Sequence, residues 1–414
     1  MATLTGMRTT AITLALATGI TLFSPHIAHA ATPPTSAEIH TTGAFLASQL
    51  DATTDGLLTG PTGRTDIGLT ADVIFALDAL NTHPEQADRS YTAVMANLDG
   101  FTHFLGEVDA NRMAKIVALE DSRGERDSTR IAELVDAVQD NGQMMNETEG
   151  EPTSAVQNFG QSWSVIALAR VGETAAAEKA ASFLENQICP DGGVPLFQAD
   201  PPSCNSVDPD TTGLAAQALT LVHGKDHPST QATLGYLREK INASGGITGR
   251  FSGVNASTTT LAAGAFAAAA DTANLTRTHS YLNSVRFGDT APAVLRGAFA
   301  WRIQGMDATT TPTDQILRTS AQAALGFAGA NYINAAVVYP GQDAPTPSPE
   351  PTPTPSPEPS PEPSAPATPD ENTPQDATGS SEGGIPFEAL AAVIALIAAV
   401  IGFAGPGFFL PVQV

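Results

Sequence analysis

The 414-residue chain is short of basic residues: 19 Lys and Arg stand against 43 Asp and Glu. A phosphate backbone is held by clustered cations, so this balance argues against nucleic acid as a partner. Cysteine is scarce as well, with Cys189 and Cys204 alone. Two thiols are too few for a multi-thiolate metal centre, and no His-Glu-x-x-His string or phosphate-binding loop is present. No metal and no cofactor is therefore expected. Tryptophan occurs only at 163 and 301, and aromatic residues make up 6% of the chain. A large aromatic-lined cavity is hard to build from so few rings.

What the sequence does contain sorts into segments. Residues 1–30 read as a signal peptide: Arg8 is the basic start, an apolar run follows, and Ala28-His29-Ala30 is the small-x-small pattern for cleavage. Without Arg8 the count is 18 basic against 43 acidic residues. Residues 340–384 hold a Pro/Ser/Thr/Glu tract, "PTPSPEPTPTPSPEPSPEPSAPATP". Proline fixes φ and removes donors, so this tract is expected to be a disordered, extended stalk. Two dozen such residues reach on the order of 70 Å. Residues 385–405 are apolar apart from Glu388 and are long enough to span a bilayer. A short tail, 406–414, follows without Lys or Arg, and no Leu-Pro-x-Thr-Gly sorting signal precedes the span. The expected location is the cell surface, with the ectodomain outside and the C-terminal helix in the cytoplasmic membrane.

Residues 31–339 carry the fold. A turn signal recurs at Asp55-Gly56, Asp99-Gly100, Asn141-Gly142, Asp191-Gly192 and Gly245-Gly246, with a weaker Phe287-Gly288, at intervals of 42 to 53 residues. Before each turn the apolar residues step by three and four, as at Ile131, Leu134, Val135 and Val138. After each turn comes a charge-poor segment rich in Ala, Gly and Thr, such as "AAQALTL" and "AAGAFAA". Each unit thus reads as an amphipathic outer helix, a glycine turn and a buried inner helix. Six such hairpins predict an all-α fold, an α/α toroid, with an open solenoid as the alternative.

The fourth unit, Gln187-Ile-Cys-Pro-Asp-Gly-Gly193 followed by Asp210-Thr-Thr-Gly-Leu-Ala-Ala-Gln-Ala-Leu219, resembles the prenyltransferase/squalene-cyclase repeat. Gln139-Asp-Asn-Gly142 and Asp55-Gly56 are looser copies, and the resemblance extends over about 36–327. It implies a six-hairpin α/α barrel of the terpenoid cyclase and protein prenyltransferase type. Such a fold hosts cyclases, prenyltransferases, thioester domains and cobalamin carriers, so it leaves function open.

Residue by residue, Asp208-Pro-Asp-Thr211 resembles the cyclases' Asp-x-Asp-Asp motif, with Thr211 in the last place. Asp210 would then be the proton donor and Asp208 its neighbour, which requires a carboxyl pKa raised by an apolar site. The competing reading makes Asp210 a helix N-cap. The repeat's usual Trp after the glycine turn is absent. No Asp-x-Cys string supports a prenyltransferase zinc site, and no Gly-Cys-Gly-Glu-Gln string supports a thioester. Trp163, Gln187 and Asp191 form the candidate binding set, with core or cavity wall as the favoured reading of Trp163 over a cation-stabilising one. Export and an even count make Cys189–Cys204 a disulfide closing a loop of about fifteen residues, worth about 3 kcal/mol. The expected function is non-catalytic binding of a lipid, isoprenoid, glycan or corrinoid in the ring's central cavity or mouth. The alternatives are a divergent cyclase-like enzyme using Asp210 and a surface scaffold without a small ligand.

Overall fold

The computed structural model describes residues 33–104 and 106–335. The signal peptide, stalk, membrane span and tail expected from the sequence lie outside these residues. Among the described residues no helix is long and apolar enough to cross a membrane.

The outer helices are α1 (Ser36–Asp51), α3 (Pro84–Met95), α6 (Ser128–Asp136), α8 (Thr174–Glu185), α10 (Pro228–Lys240) and α12 (Thr272–Ser284). They alternate with the inner helices α2 (Ile67–Leu80), α5 (Ala110–Ser122), α7 (Asn158–Val171), α9 (Pro209–His223), α11 (Ala256–Ala268) and α13 (Asp314–Ala328). A single-turn helix, α4 (Asp99–Thr102), precedes α5. Inner helices pack in the order α2, α5, α7, α9, α11, α13, and α13 packs back on α2. The ring is therefore closed, and the open solenoid is set aside. The last-to-first seam carries an Arg318–Asp66 ion pair at 2.6 Å, and Arg286 of the adjoining segment donates to Thr42 and to the Glu38 carbonyl of α1.

Composition explains the two layers. α9 and α11 bury residues almost all round, as an apolar helix with small side chains must. α6 buries only Leu134 fully, and α12 only Thr278, Tyr281 and Leu282, so these helices keep a charged outer face. Five inner helices start on a polar N-cap whose side chain accepts a backbone N–H: Asp66, Asp109, Asp208, Asn255 and Thr313.

The glycine turns have a common job, seen best at Gly192 and Gly245. Both sit at φ +85°, and a Cβ there would lie 2.2 Å from the Ala232 carbonyl oxygen of α10 or 1.9 Å from that of Arg277 on α12. Each turn thus presses its backbone on the next outer helix, at a conformation that glycine alone adopts cheaply. Gly142 does the same against Lys179 of α8. Two expected turns are corrected. Gly100 lies inside α4 with open space around it, and Gly288 is likewise open. In the last unit the contact is made by Gly297, pressed against Thr41 of α1.

The all-α expectation also needs amendment. β1 (His103–Phe104), β2 (Glu107–Val108), β3 (Met145–Thr148) and β4 (Glu151–Ala155) form an antiparallel sheet in that order, and β5 (Ile247–Gly249) pairs with β6 (Gly253–Asn255). These strands belong to outer-to-inner connections, where the chain leaves the ring and pairs with itself.

The centre of the ring is filled. Phe75 of α2 and Trp163 of α7 stand 6.1 Å apart between ring centroids, although α5 lies between their helices. Tyr332, seven residues beyond Leu325 of α13, packs on both, at 5.7 Å and 4.6 Å. Its N–H is donated to Gln217 of α9, and Arg170 of α7 donates to the carbonyls of Tyr332 and Ala335. The segment after α13 thus runs into the ring and plugs it. The expectation of an open central cavity is corrected here, because aromatic packing occupies the axis at this level.

Candidate functional site

All outer-to-inner connections emerge at the N-terminal ends of the inner helices, so they share one face of the ring, its mouth. Three geometric features of such a mouth follow from the sequence order: N-caps ring it, connections rim it, and the first two turns of the inner helices wall it. On these first turns sit Asp72 and Lys115, joined by a 2.7 Å ion pair, with Lys115 also donating to the Gly68 carbonyl. Burial raises the Asp72 carboxyl above its usual range against the pull of Lys115. Arg318 bridges Asp66 and Asp314 nearby.

Asp208 and Asp210 lie on α9, across the ring from α2. Asp208 is the N-cap: its Oδ2 accepts the Thr211 N–H at 3.0 Å and the Thr211 hydroxyl at 2.7 Å. Pro209 occupies the first helical position, where its missing N–H costs nothing. The N-cap reading of Asp210 is therefore corrected. Asp210 stands within the first turn, and the backbone donors it would have capped are taken by Asp208. Thr211, in the place of a third acid, serves the cap.

Freed from capping, Asp210 has an unusual environment. Its Oδ1 is shut off from solvent and has no hydrogen-bond partner. Burial first, and the neighbouring Asp208 charge second, push its pKa up to about 7, while Thr258 of α11 acts the other way. Asp208 is also raised, by burial, against the hydrogen bonds from Thr211. A carboxyl near pKa 7 can hold or release a proton at neutral pH and can donate or accept a ligand hydrogen bond. Both Asp72 and Asp210 keep partial solvent contact although they are set deep among the inner helices.

The other candidates do not join Asp72 and Asp210. Gln187 is 2% exposed, and its amide brackets Ala199, donating to the carbonyl and accepting the N–H, each at 3.1 Å. It holds the disulfide loop in shape. Asp191 is exposed on its turn and accepts the Gly193 N–H. Trp163 belongs to the aromatic plug. The Cys189–Cys204 disulfide is formed, with Cα atoms 5.6 Å apart.

Sequence reasoning missed Asp72, Lys115 and Arg318, which carry no local motif. It also missed the rim. Phe104, Phe197, Phe251 and Ile303 are exposed large apolar side chains, and each lies in a connection leading into an inner helix: α5, α9, α11 and α13 in turn. Arg250 stacks on Phe251 at 4.9 Å. Exposed aromatics in loops were detectable only once the loops were known to share a face.

No protein-family model matches the chain, and no curated protein does. Solved structures do. An α-amylase from Clostridium perfringens is 12% identical over 72% of this chain and 99% of its own, with a TM-score of 0.52. An unsaturated glucuronyl hydrolase specific for heparin is 11% identical over 71% and 96%, with a TM-score of 0.50. The type II terpene cyclase MstE from Scytonema is 16% identical over 71% and 97%, with a TM-score of 0.49. At such identities the likeness is one of fold. The chain is an α/α toroid, the architecture implied by its sequence repeat, and the first two of these structures share that fold.

Proposed function

We propose that this is an exported, membrane-anchored toroid that binds a glycan at its mouth without turning it over. The observation that carries the reading is the pairing of exposed apolar side chains in the connections, Phe104, Phe197 and Phe251, with the half-buried carboxyls of Asp72 and Asp210 at the starts of the inner helices. Sugar rings have C–H faces and hydroxyl edges. Aromatic surfaces suit the faces, and a few fixed polar groups suit the edges. The plug of Phe75, Trp163 and Tyr332 occupies the level where an isoprenoid cascade would want open apolar volume, which favours a shallow, polar ligand. Export and anchoring rest on the character of residues 1–30 and 385–405, and they would present the mouth to envelope polysaccharide.

The test is titration of the full chain in detergent with oligosaccharides from bacterial envelope polymers, by calorimetry. Binding should appear in the wild type and weaken roughly tenfold or more in Phe197→Ala/Phe251→Ala, at unchanged melting temperature. Saccharide binding that ignores the rim variant would overturn the assignment of the mouth.

A second reading has one specific observation behind it, the unpartnered Oδ1 of Asp210 with its raised pKa. Under it Asp210 is a general acid. Product formation from a bound saccharide, abolished in Asp210→Asn with binding retained, would establish that reading in place of simple binding.

A further inference from the structure

The rim of the mouth is electrically divided. The connections into α5, α7 and α9, residues 96–109, 137–157 and 186–208, contain Asp and Glu but not one Lys or Arg. The connection into α11, residues 241–255, is the reverse, with Arg250 as its single Asp, Glu, Lys or Arg. The connection into α13, residues 285–313, holds Arg286, Arg296 and Arg302 against Asp289 and Asp307. In a chain of net charge -24, positive charge is thus collected on one sector of the rim. α11 and α13 are neighbours in the ring. The Ala256 N–H at the start of α11 is donated to the Trp301 carbonyl at 2.8 Å, so the two basic connections touch.

Arginines in this sector differ in what they meet. Arg286 is taken by Glu38 at 3.7 Å, as Lys115 and Arg318 elsewhere at the mouth are taken by Asp72 and Asp66. Arg250 and Arg302 are exposed, and among the described residues no carboxylate pairs with either. Each lies over an aromatic ring instead: Arg250 over Phe251 at 4.9 Å, Arg302 over Trp301 at 4.3 Å. The Val207 and Asn205 carbonyls accept from Arg250 at 3.3 and 3.4 Å, which fixes its fork and leaves further N–H donors unused. Asp208 at the α9 N-cap feels the Arg250 charge, after burial and the Thr211 hydrogen bonds, so this arginine stands by the start of α9. An unpaired surface arginine is ordinarily just solvated. A guanidinium already held on a ring face loses less freedom when it takes a bidentate oxyanion. Phe251 is 57% exposed beside it, so the C–H face of a sugar and its charged substituent would meet adjacent groups.

We infer that the saccharide bound at the mouth is an acidic one, its carboxylate or phosphate group held by Arg250 and Arg302. The inference rests on the mouth being a glycan site and adds the charge class of the ligand. The acidic connections repel the same group and so orient the saccharide along the rim.

The experiment is calorimetry on the full chain in detergent at physiological ionic strength. Trigalacturonic acid and its carboxyl-reduced counterpart, a galactotriose, test a carboxylate source. Phosphorylated maltotriose and maltotriose test a phosphate source. Wild type is compared with Arg250→Gln/Arg302→Gln and with Lys225→Gln, on the α9–α10 turn at the other face of the ring. At least one acidic probe should bind wild type roughly tenfold or more tighter than its neutral counterpart. The double variant should lose that preference while its melting temperature and its affinity for the neutral sugar stay put, and Lys225→Gln should keep the preference. Acidic and neutral probes bound equally, and both weakened in Phe197→Ala/Phe251→Ala, would overturn this inference and leave the glycan reading standing. No saturable binding of either acidic probe would overturn it too, whatever the envelope oligosaccharides do. So would a preference that survives in the double variant or that Lys225→Gln also abolishes, since bulk charge would then explain it.

Discussion

The guanidinium of Arg170 donates to the carbonyl oxygen of Tyr332 at 2.6 Å, fastening the segment beyond the last helix to the third inner helix. The same guanidinium meets Asp121 of α5 at 3.0 Å, so one side chain ties two walls of the ring to its plug. Tyr332 in turn contacts Phe75 and Trp163 and donates its N–H to Gln217.

Truncating that plug should be severe. Tyr332→Ala removes a ring from a site 5% exposed, and large-to-small changes of this kind cost roughly 3–5 kcal/mol. Chemical denaturation of wild type and variant measures the difference. A loss below about 1 kcal/mol would mean that the segment does not support the ring.

Asp210 makes stability depend on pH in a stated direction. Its pKa rises to about 7 in the folded chain, against about 4 when unfolded. The folded state therefore binds the proton more tightly. The resulting stability is fully present below about pH 4 and is lost as pH rises through about 7. Asp210→Asn removes the group, so its melting temperature should fall less between pH 5 and pH 8 than that of wild type. Parallel pH profiles for the two proteins would contradict the assignment.

Gly245→Ala places a Cβ 1.9 Å from the Arg277 carbonyl oxygen at φ +85°. Gly150→Ala shares a positive φ, +81°, but meets nothing within 4 Å. Backbone strain alone should cost each about 1 kcal/mol. The excess at Gly245, read from paired urea midpoints, isolates the pressure of the turn on α12 and should be clearly positive.

The Cys189–Cys204 bond closes a loop with a sequence separation of 15. Its replacement by two serines should cost about 3 kcal/mol in the chain-entropy model. Reductant should lower the melting temperature of wild type towards that of the double variant and leave the variant unmoved.

The ring was legible because each hairpin repeats the same local physics: an amphipathic helix, a glycine pressed on a neighbour, a small-residue helix. Legibility failed where identity and role part company. Asp99-Gly100 has the right letters but continues into α4, whereas Gly297 does the work with Arg296 before it instead of Asp or Asn. At the candidate site, two aspartates two residues apart left the cap ambiguous. Pro209 could have settled it, since proline favours the first helical position and so makes Asp208 the cap. The plug had no local signature at all. Tyr332 meets Phe75 across more than 250 residues of chain, and Lys115 meets Asp72 through helix packing that no spacing rule encodes.

The closing contact of α13 on α2 fixes the repeat number. An open stack of hairpins can gain or lose a unit and still bury its neighbours' faces. Here the first and last inner helices are neighbours, joined by Arg318 and Asp66. Deleting one hairpin would leave a gap or force every remaining interface to a new angle. Such a molecule evolves by changing its connections, because it cannot change its length.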